Sequence, residues 1–311
     1  MPGRHRLTVL TALVTVLLMA WGSFVTSIDA GLAVPDWPTS FDSYDPFNPW
    51  PDWWTITPVL AEHGHRLLGA LVGLMTLALA SWTVYADDRR WMKLLSVGVL
   101  AVVMLQGVLG GLRVVWVSLD LAVVHACVAQ IFFSSLVCMA IFTSRSWLEE
   151  RRTVHRGAAR IRNLTLVTTA VVFVQIIFGA LLRHPGTGID VLFAGIHIFW
   201  AFVVVTLILA SAHLIRAEEH GKALAHARTT AVALLALQVM LGMTAFFVLL
   251  DEQGMIRPSN LQVIINSSHM VVGALLLASC VAMTTYALQG PGTSREEPVT
   301  RAADLQPVGT G

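Results

Sequence analysis

Eight long apolar stretches constrain this chain more than any other feature of its sequence. They lie near residues 7–28, 58–84, 92–112, 118–143, 162–182, 190–214, 228–250 and 260–287. Each is long enough to form a helix across the ~30 Å hydrocarbon core of a bilayer, which takes about 20 residues. Only 13% of the residues are charged, about half of what a soluble domain carries. The sequence therefore predicts an all-α polytopic membrane protein with eight transmembrane helices, called spans 1 to 8 below.

The positions of lysine and arginine predict how the chain is oriented, because basic residues favour cytoplasmic loops. Of the 20 basic residues, 16 fall on one side of the predicted topology. The exceptions are Arg66, Arg113, Arg183 and Arg257. Both termini are therefore predicted to be cytoplasmic. Residues 289–311 are rich in Pro, Gly, Ser and charge, and we expect a disordered cytoplasmic tail there.

The first predicted outer loop, residues 29–57, differs in composition from the other loops. It contains five aspartates and four of the ten tryptophans of the chain, and no Lys, Arg or His. Because tryptophan favours the membrane interface, the loop is expected either to lie on the bilayer surface or to form a lid over a site. The sequence leaves both interpretations open.

A short element is repeated along the chain. Three odd-numbered spans contain Gln-x-x-x-Gly, at Gln106–Gly110, Gln175–Gly179 and Gln238–Gly242. The span after each of them carries a histidine toward its outer end, and these are His125, His197 and His269. His65 has the same place in span 2. The repetition predicts a recurring helix hairpin and, more coarsely, two pseudo-symmetric four-helix bundles, residues 1–145 and 146–288.

The four histidines lie about seven to nine residues inside the outer ends of their spans, or roughly 10–13 Å from the surface at ~1.5 Å per residue. A lone intramembrane histidine often only hydrogen-bonds a neighbouring helix. Four at one depth favour bis-histidine ligation of haem iron, in which two facing helices each offer one axial ligand. Zinc is a weaker alternative, because zinc sites usually draw ligands that are close together in the sequence, or include a cysteine or a carboxylate. A proton-coupled transporter is a further alternative.

Arginines near the predicted outer surface are candidate partners for the propionates of a haem. Arg66 and Arg183 are the main candidates, and Arg113 is a third. Snorkelling of these side chains to the interface is the competing interpretation. The three cysteines lie inside predicted spans and are interpreted as small apolar packing residues.

Several stretches resemble the haem A synthase family, the membrane enzymes that oxidise a methyl group of haem O to a formyl group. They are EHGHRLLG at 62–69, GLAVPDWPTSF at 31–41 and GALLRHPGTG at 179–188, together with the histidines of spans 4, 6 and 8. The resemblance covers about residues 5–288. One departure is that many relatives carry a cysteine pair in the first outer loop, where this chain has Val34 and Ser40.

The resemblance implies a division of labour between the two halves of the chain. His65 and His125 would ligate the iron of the substrate haem O, and His197 and His269 the iron of a haem b. Glu62 would be important to the chemistry. The family also implies a plasma-membrane location with haem sites toward the outer side, a haem O synthase and an aa3-type oxidase as partners, and no nucleic acid. Whether the oxygen atom comes from dioxygen or from water stays open.

Glu62 separates the two leading hypotheses for function. It precedes His65 by three residues, so both side chains share a helix face. A carboxyl beside a bound haem could act as a general acid–base group, whereas a b-type cytochrome that only carries electrons needs no carboxylate at the iron. The competing interpretation is that Glu62 caps the helix or forms an ion pair with Arg66.

Overall fold

The computed structural model describes residues 2–149, 157–183, 191–217, 221–251 and 258–289. The long helices are α1 (Pro2–Ser27), α2 (Thr57–Ala86), α3 (Arg90–Val115), α4 (Leu119–Thr143), α5 (Ala158–Arg183), α6 (Val191–Ala217), α7 (Lys222–Asp251) and α8 (Asn260–Leu288). All eight are long and apolar enough to cross a membrane. The prediction of an all-helical protein with eight spans is confirmed. The cytoplasmic termini and the pseudo-symmetric halves stay predictions, and the expected tail beyond residue 289 lies outside the described residues.

Several helices extend beyond the apolar stretches that predicted them. The largest difference is in α7, which begins at Lys222 rather than near residue 228. Hydropathy detects only the apolar part of a helix, which fits the hydrocarbon core of the bilayer. The backbone stays helical beyond that part, where the side chains are polar. Two short elements were not predicted, a helix at Arg145–Glu149 and a 3₁₀ turn at Asp52–Trp54.

The last helix, α8, is the most enclosed of the eight. It packs against α1, α4, α5 and α7, and 67% of its apolar window is buried, against 33% or less for each of the others. Leu277, Cys280 and Met283 are fully enclosed there. Cys280 therefore packs as a small apolar side chain, as predicted.

A buried ion cluster holds the helix ends that lie opposite to the loop of residues 29–57. The carboxylate of Asp87, between α2 and α3, pairs with Arg4 at 2.7 Å and with Arg89 at 2.8 Å. Arg89 also donates to the carbonyl oxygen of Phe142 at the end of α4. Hydrogen bonds from the Arg89 side chain outweigh the opposing effect of burial and lower the pKa of Asp87 to about 2.

Residues 29–57, which we call loop 1, fold into a series of turns. Phe41 and Asp42 adopt positive φ angles of 52° and 60°. Their backbone N–H groups donate to the two carboxylate oxygens of Asp36, at 2.8 and 2.9 Å. Burial opposes ionisation of Asp36, but these bonds and one involving Thr39 outweigh it and lower its pKa. The end of the protein that carries loop 1 is called the loop-1 end below.

Candidate functional site

Loop 1 is tied to α2 by the Glu62 and Arg66 side chains. Glu62 accepts a hydrogen bond from the backbone N–H of Val34 at 2.9 Å and one from Arg66 at 2.9 Å. Arg66 also donates to the loop carbonyl oxygens of Val34, Asp36 and Thr39, at 3.0, 2.7 and 3.2 Å. The ion pair between Glu62 and Arg66, predicted as a competing role for Glu62, is therefore present, and both of its side chains bond to loop 1.

His63 and Trp37 make further contacts between loop 1 and the helices. The Nε2 atom of His63 lies 2.8 Å from the carbonyl oxygen of Pro46, and its ring packs on Trp53 with 5.0 Å between centroids. The ring of Trp37 lies directly on Gly111 of α3, where a Cβ atom would come within 2.1 Å of it. Loop 1 thus bridges α2 and α3. These contacts fix loop 1 on the helix bundle.

Each of the four intramembrane histidines has its ring on a glycine of the preceding helix. A Cβ atom at the glycine would lie 2.8 Å from Cε1 of the ring for Gly22 and His65, 3.1 Å for Gly110 and His125, 3.2 Å for Gly179 and His197, and 3.0 Å for Gly242 and His269. Hydrogen is the only side chain that avoids crowding at such distances. We call His65 and His125 the first pair and His197 and His269 the second pair.

The glutamines of the repeated element contact these histidines directly. The Gln106 amide donates to the backbone carbonyl of His125 at 2.7 Å, and the Nδ1 atom of His125 donates in return to the carbonyl of Gln106 at 3.2 Å. Gln175 donates to the carbonyl of His197 at 3.0 Å. Ligand histidines in metal sites commonly donate their other ring N–H to a backbone carbonyl, as Nδ1 of His125 does here. The spacing in the sequence therefore reflects a structural unit of glutamine, glycine and histidine.

The fourth unit was not recognised in the sequence. His65 lies on Gly22 of α1, and its ring faces the backbone of Leu18, four residues earlier. Leu18-x-x-x-Gly22 has the same spacing as the three Gln-x-x-x-Gly elements. A search for glycine at this position of span 1, regardless of the residue four before it, would have found this unit.

The spacing of the second pair is close to that of two histidines on one iron. The ring centroids of His197 and His269 are 6.5 Å apart with an interplanar angle of 71°. Two metal–imidazole bonds of about 2.0–2.1 Å, with ~1.2 Å from each nitrogen to its ring centre, would place the centres ~6.4 Å apart. Within the described chain, the buried Nδ1 atoms of both rings and the Oε1 atoms of Gln175 and Gln238 lack hydrogen-bond partners. The residues present therefore fit a haem.

Arg183 lies between the helices at the loop-1 end. Its guanidinium donates to the carbonyl of Ser23 at 2.7 Å, to the Ser27 hydroxyl, and to the carbonyl of Asn266 at 3.3 Å. No carboxylate among the described residues pairs with it. Arg66, the other predicted propionate partner, has its terminal N–H groups on loop 1 and Glu62. Arg113 lies within electrostatic range of both Glu62 and His65 and donates to the carbonyl of Gly31 at 3.3 Å.

The described residues contain no group of three or more His, Cys, Asp or Glu side chains that could hold a metal ion. The zinc alternative therefore finds no conventional ligand cage in that part of the chain. What the fold does provide is histidines on neighbouring helices, each with a glycine beneath its ring. The fold and the site together define a multi-pass membrane protein with histidine sites inside the helix bundle.

Comparison with known proteins shows what this chain is similar to. Residues 55–195 match the COX15-CtaA family, described as cytochrome oxidase assembly protein. Similar relatives are the haem A synthases of Exiguobacterium sibiricum, 29% identical over 58% of this chain and 61% of the relative, and of Symbiobacterium thermophilum, 29% identical over 56% of each. That of Shouchella clausii is 24% identical over 58% of this chain and 60% of the relative. The chain thus spans about 60% of the length of such relatives. The match to the family covers less than half of this chain.

Proposed function

We propose that this protein is a haem A synthase, which oxidises a methyl group of haem O to the formyl group of haem A. The observation that carries the proposal is the 6.5 Å spacing of the His197 and His269 rings, in a chain whose relatives bear that name. The second pair would hold a resident haem b, and the first pair, His65 and His125, would hold the substrate haem O. When bound, the haem groups supply the redox chemistry.

The position of loop 1 supports placing the substrate at the first pair. Loop 1 is fixed to α2 at Arg66, the residue after His65, and to α3 at Gly111, the residue after the glycine beneath His125. A ligand between the first-pair histidines would lie under this cover. Exclusion of water strengthens electrostatic interactions inside a site and suppresses side reactions. The lid interpretation of loop 1 is thereby part of the proposal.

Glu62 is the proposed proton-handling group. It shares a helix face with His65, because the two residues are three positions apart. Val34 and Arg66 each hold one of its carboxylate oxygens at 2.9 Å. A carboxylate positioned in this way can take a proton at one Oε atom and return it. In the proposal, the same carboxylate holds loop 1 and serves the substrate haem at the neighbouring His65.

Arg183 is the proposed partner for haem propionates at the second pair. Its side chain has no carboxylate partner among described residues, and its charge acts on His269. Charge-assisted bonds from arginine to carboxylates are among the stronger hydrogen bonds in proteins. Arg66 stays a weaker candidate, because loop 1 uses its terminal N–H groups. The proposal includes an upstream haem O synthase, a downstream aa3-type oxidase, and sites toward the outer side of the plasma membrane.

The test is haem A formation by a Glu62→Gln variant. Membranes containing the protein and a haem O supply are extracted, and the haems are separated by chromatography. Glu62→Gln keeps the size of the side chain and removes its titratable proton. We expect most haem A formation to be lost while the haem b spectrum persists. Glu149→Gln, an exposed change on the short helix, is the matched control. Near-normal haem A from Glu62→Gln would reduce Glu62 to a structural residue, and no haem A from the unmodified protein would refute the proposed function.

A further inference from the structure

A groove opens on the lipid-facing surface of the helix bundle between α2 and α3, near the end opposite to loop 1. It has a volume of about 450 Å³ and is lined by Ala80, Ser81, Val84, Tyr85, Val97 and Leu100. Because α2 and α3 are both long and apolar enough to cross a membrane, the groove faces lipid. We propose that it binds one anionic phospholipid, with an acyl chain along the groove and the phosphate at Arg90 and Lys93.

The walls of the groove suit the upper part of a phospholipid. Ala80 and Ser81 are small and leave the space open, and the Tyr85 side chain, 91% exposed, stands at the polar end, since tyrosine favours the membrane interface. Thr76 and Thr83 of α2 each donate to the carbonyl four residues earlier. The Ser81 hydroxyl makes no such bond among the described residues. It is therefore available to donate to an ester oxygen of a lipid.

Arg90 and Lys93 lie on the same face of α3 as the groove. They precede Val97 by seven and four residues, spacings that place side chains on one face of a helix. Because α3 begins at Arg90, both cations lie in its first turn, at the level of the lipid headgroups. Neither forms an ion pair within the described chain, so both can donate to a phosphate. An acyl chain below that phosphate would run past Val97 and Leu100 toward the middle of the membrane.

The charges around the turn between α2 and α3 favour an anionic lipid over a zwitterionic one. Asp87 is paired with two guanidiniums, those of Arg4 and Arg89, at 2.7 and 2.8 Å, so this buried cluster carries one excess positive charge. Asp88 is exposed and is the other carboxylate of the turn. Together with the two cations of α3, four basic side chains therefore face two carboxylates. Basic residues at this level attract anionic headgroups, whereas they repel the ammonium group of phosphatidylcholine.

The experiment measures lipid binding to the purified full-length protein by native mass spectrometry. The protein is titrated in detergent with phosphatidylglycerol, or with phosphatidylcholine that has the same acyl chains. We expect one phosphatidylglycerol to stay bound at concentrations where phosphatidylcholine is lost. Arg90→Gln combined with Lys93→Gln should weaken phosphatidylglycerol binding about fivefold for each cation, or about 30-fold for both. Arg160→Gln combined with Arg162→Gln, two exposed arginines at the same end of α5, is the matched control and should leave binding unchanged.

A second substitution tests the groove without changing any charge. Val97→Trp places a large side chain in the groove and should displace the bound lipid, although both cations are still present. Leu105→Trp puts the same side chain on another exposed face of α3 and should leave binding unchanged. Val97 is half exposed, so its replacement does not disturb the helix contacts inside the bundle. The two kinds of variant therefore test the headgroup site and the acyl-chain site separately.

Equal binding of the two lipids by the unmodified protein would overturn the inference, and so would unchanged phosphatidylglycerol binding when both cations of α3 are removed. Unchanged binding in Val97→Trp would show attraction of the headgroup alone and would overturn the groove as the acyl-chain site. A dimer that carries no lipid and that Val97→Trp dissociates would assign the groove to a second copy of the chain instead. None of these measurements depends on haem A formation, so the inference and the proposed function fail separately.

Discussion

Replacing Arg66 with glutamine should release loop 1 from α2. Arg66 donates to three loop carbonyl oxygens and to Glu62, and its side chain is only 19% exposed while that of Glu62 is 6% exposed. Removing one partner of a buried ion pair costs about 3–5 kcal/mol. Because Arg66 is partly exposed, we take the lower value, roughly 3 kcal/mol for holding the loop. At 1.4 kcal/mol for each factor of ten, the population of open loop should rise about 100-fold.

Amide hydrogen exchange measures this opening directly. The informative amide is the backbone N–H of Val34, which donates to the Glu62 carboxylate at 2.9 Å in the closed loop. Peptides covering residues 31–45 should exchange about 100-fold faster in Arg66→Gln than in the unmodified protein. Arg90→Gln, an exposed arginine at the start of α3 on the opposite end, is the control and should leave loop 1 unchanged.

A double variant separates the ion pair from the other Arg66 contacts. If Glu62 and Arg66 act together, the effects of Glu62→Gln and Arg66→Gln on loop exchange should be clearly non-additive. Loop exchange in Arg66→Gln equal to that of the unmodified protein would refute the assignment of Arg66 as a loop anchor. If haem retention then fell instead, the result would favour the propionate role predicted from the sequence.

Two further outcomes are expected. His197→Ala and His269→Ala should each remove or strongly weaken the b-type spectrum of the purified protein, and a normal spectrum in both would refute the second pair as haem ligands. Asp87→Asn should lower stability by about 2 kcal/mol at neutral pH, because the folded pKa of about 2 lies below the ordinary 3.8. This contribution is present above pH 4 and is lost as the pH falls toward 2. The thermal unfolding midpoints of Asp87→Asn and of the unmodified protein should therefore converge as the pH falls toward 2. A difference between the two midpoints that stays constant over this range would contradict the assignment.

Much of the fold was predictable from the sequence because its signals are local. A bilayer demands about 20 apolar residues for each helix, so the eight spans can be found without knowing how they pack. The glutamine, glycine and histidine spacings are also local, and they led to the four histidines before any contact was known. Helix ends were less predictable, as at Lys222, because the helix continues where the apolar signal stops.

The role of the EHGHR stretch depended on the tertiary structure. Glu62, His63 and Arg66 all face partners in loop 1, which lie 17 to 32 residues away along the chain for the bonds described. Most of those partners are backbone groups, which every residue carries and which therefore leave no mark in the sequence. Of the ionisable residues in this stretch, His65 is the one whose ring lies on α1, at Gly22.

The sequence by itself predicted eight helices long and apolar enough to span a membrane, with a histidine at a similar depth in each even-numbered one. Only the tertiary structure decided what each histidine lies on, and thereby showed that Leu18 and Gly22 form the fourth unit. The physical reason is that a glycine signals close approach only when its neighbour across the helix pair is known. Leu18 likewise looks like any other leucine of an apolar helix until the packing shows that it occupies the position that glutamine has in the other three units.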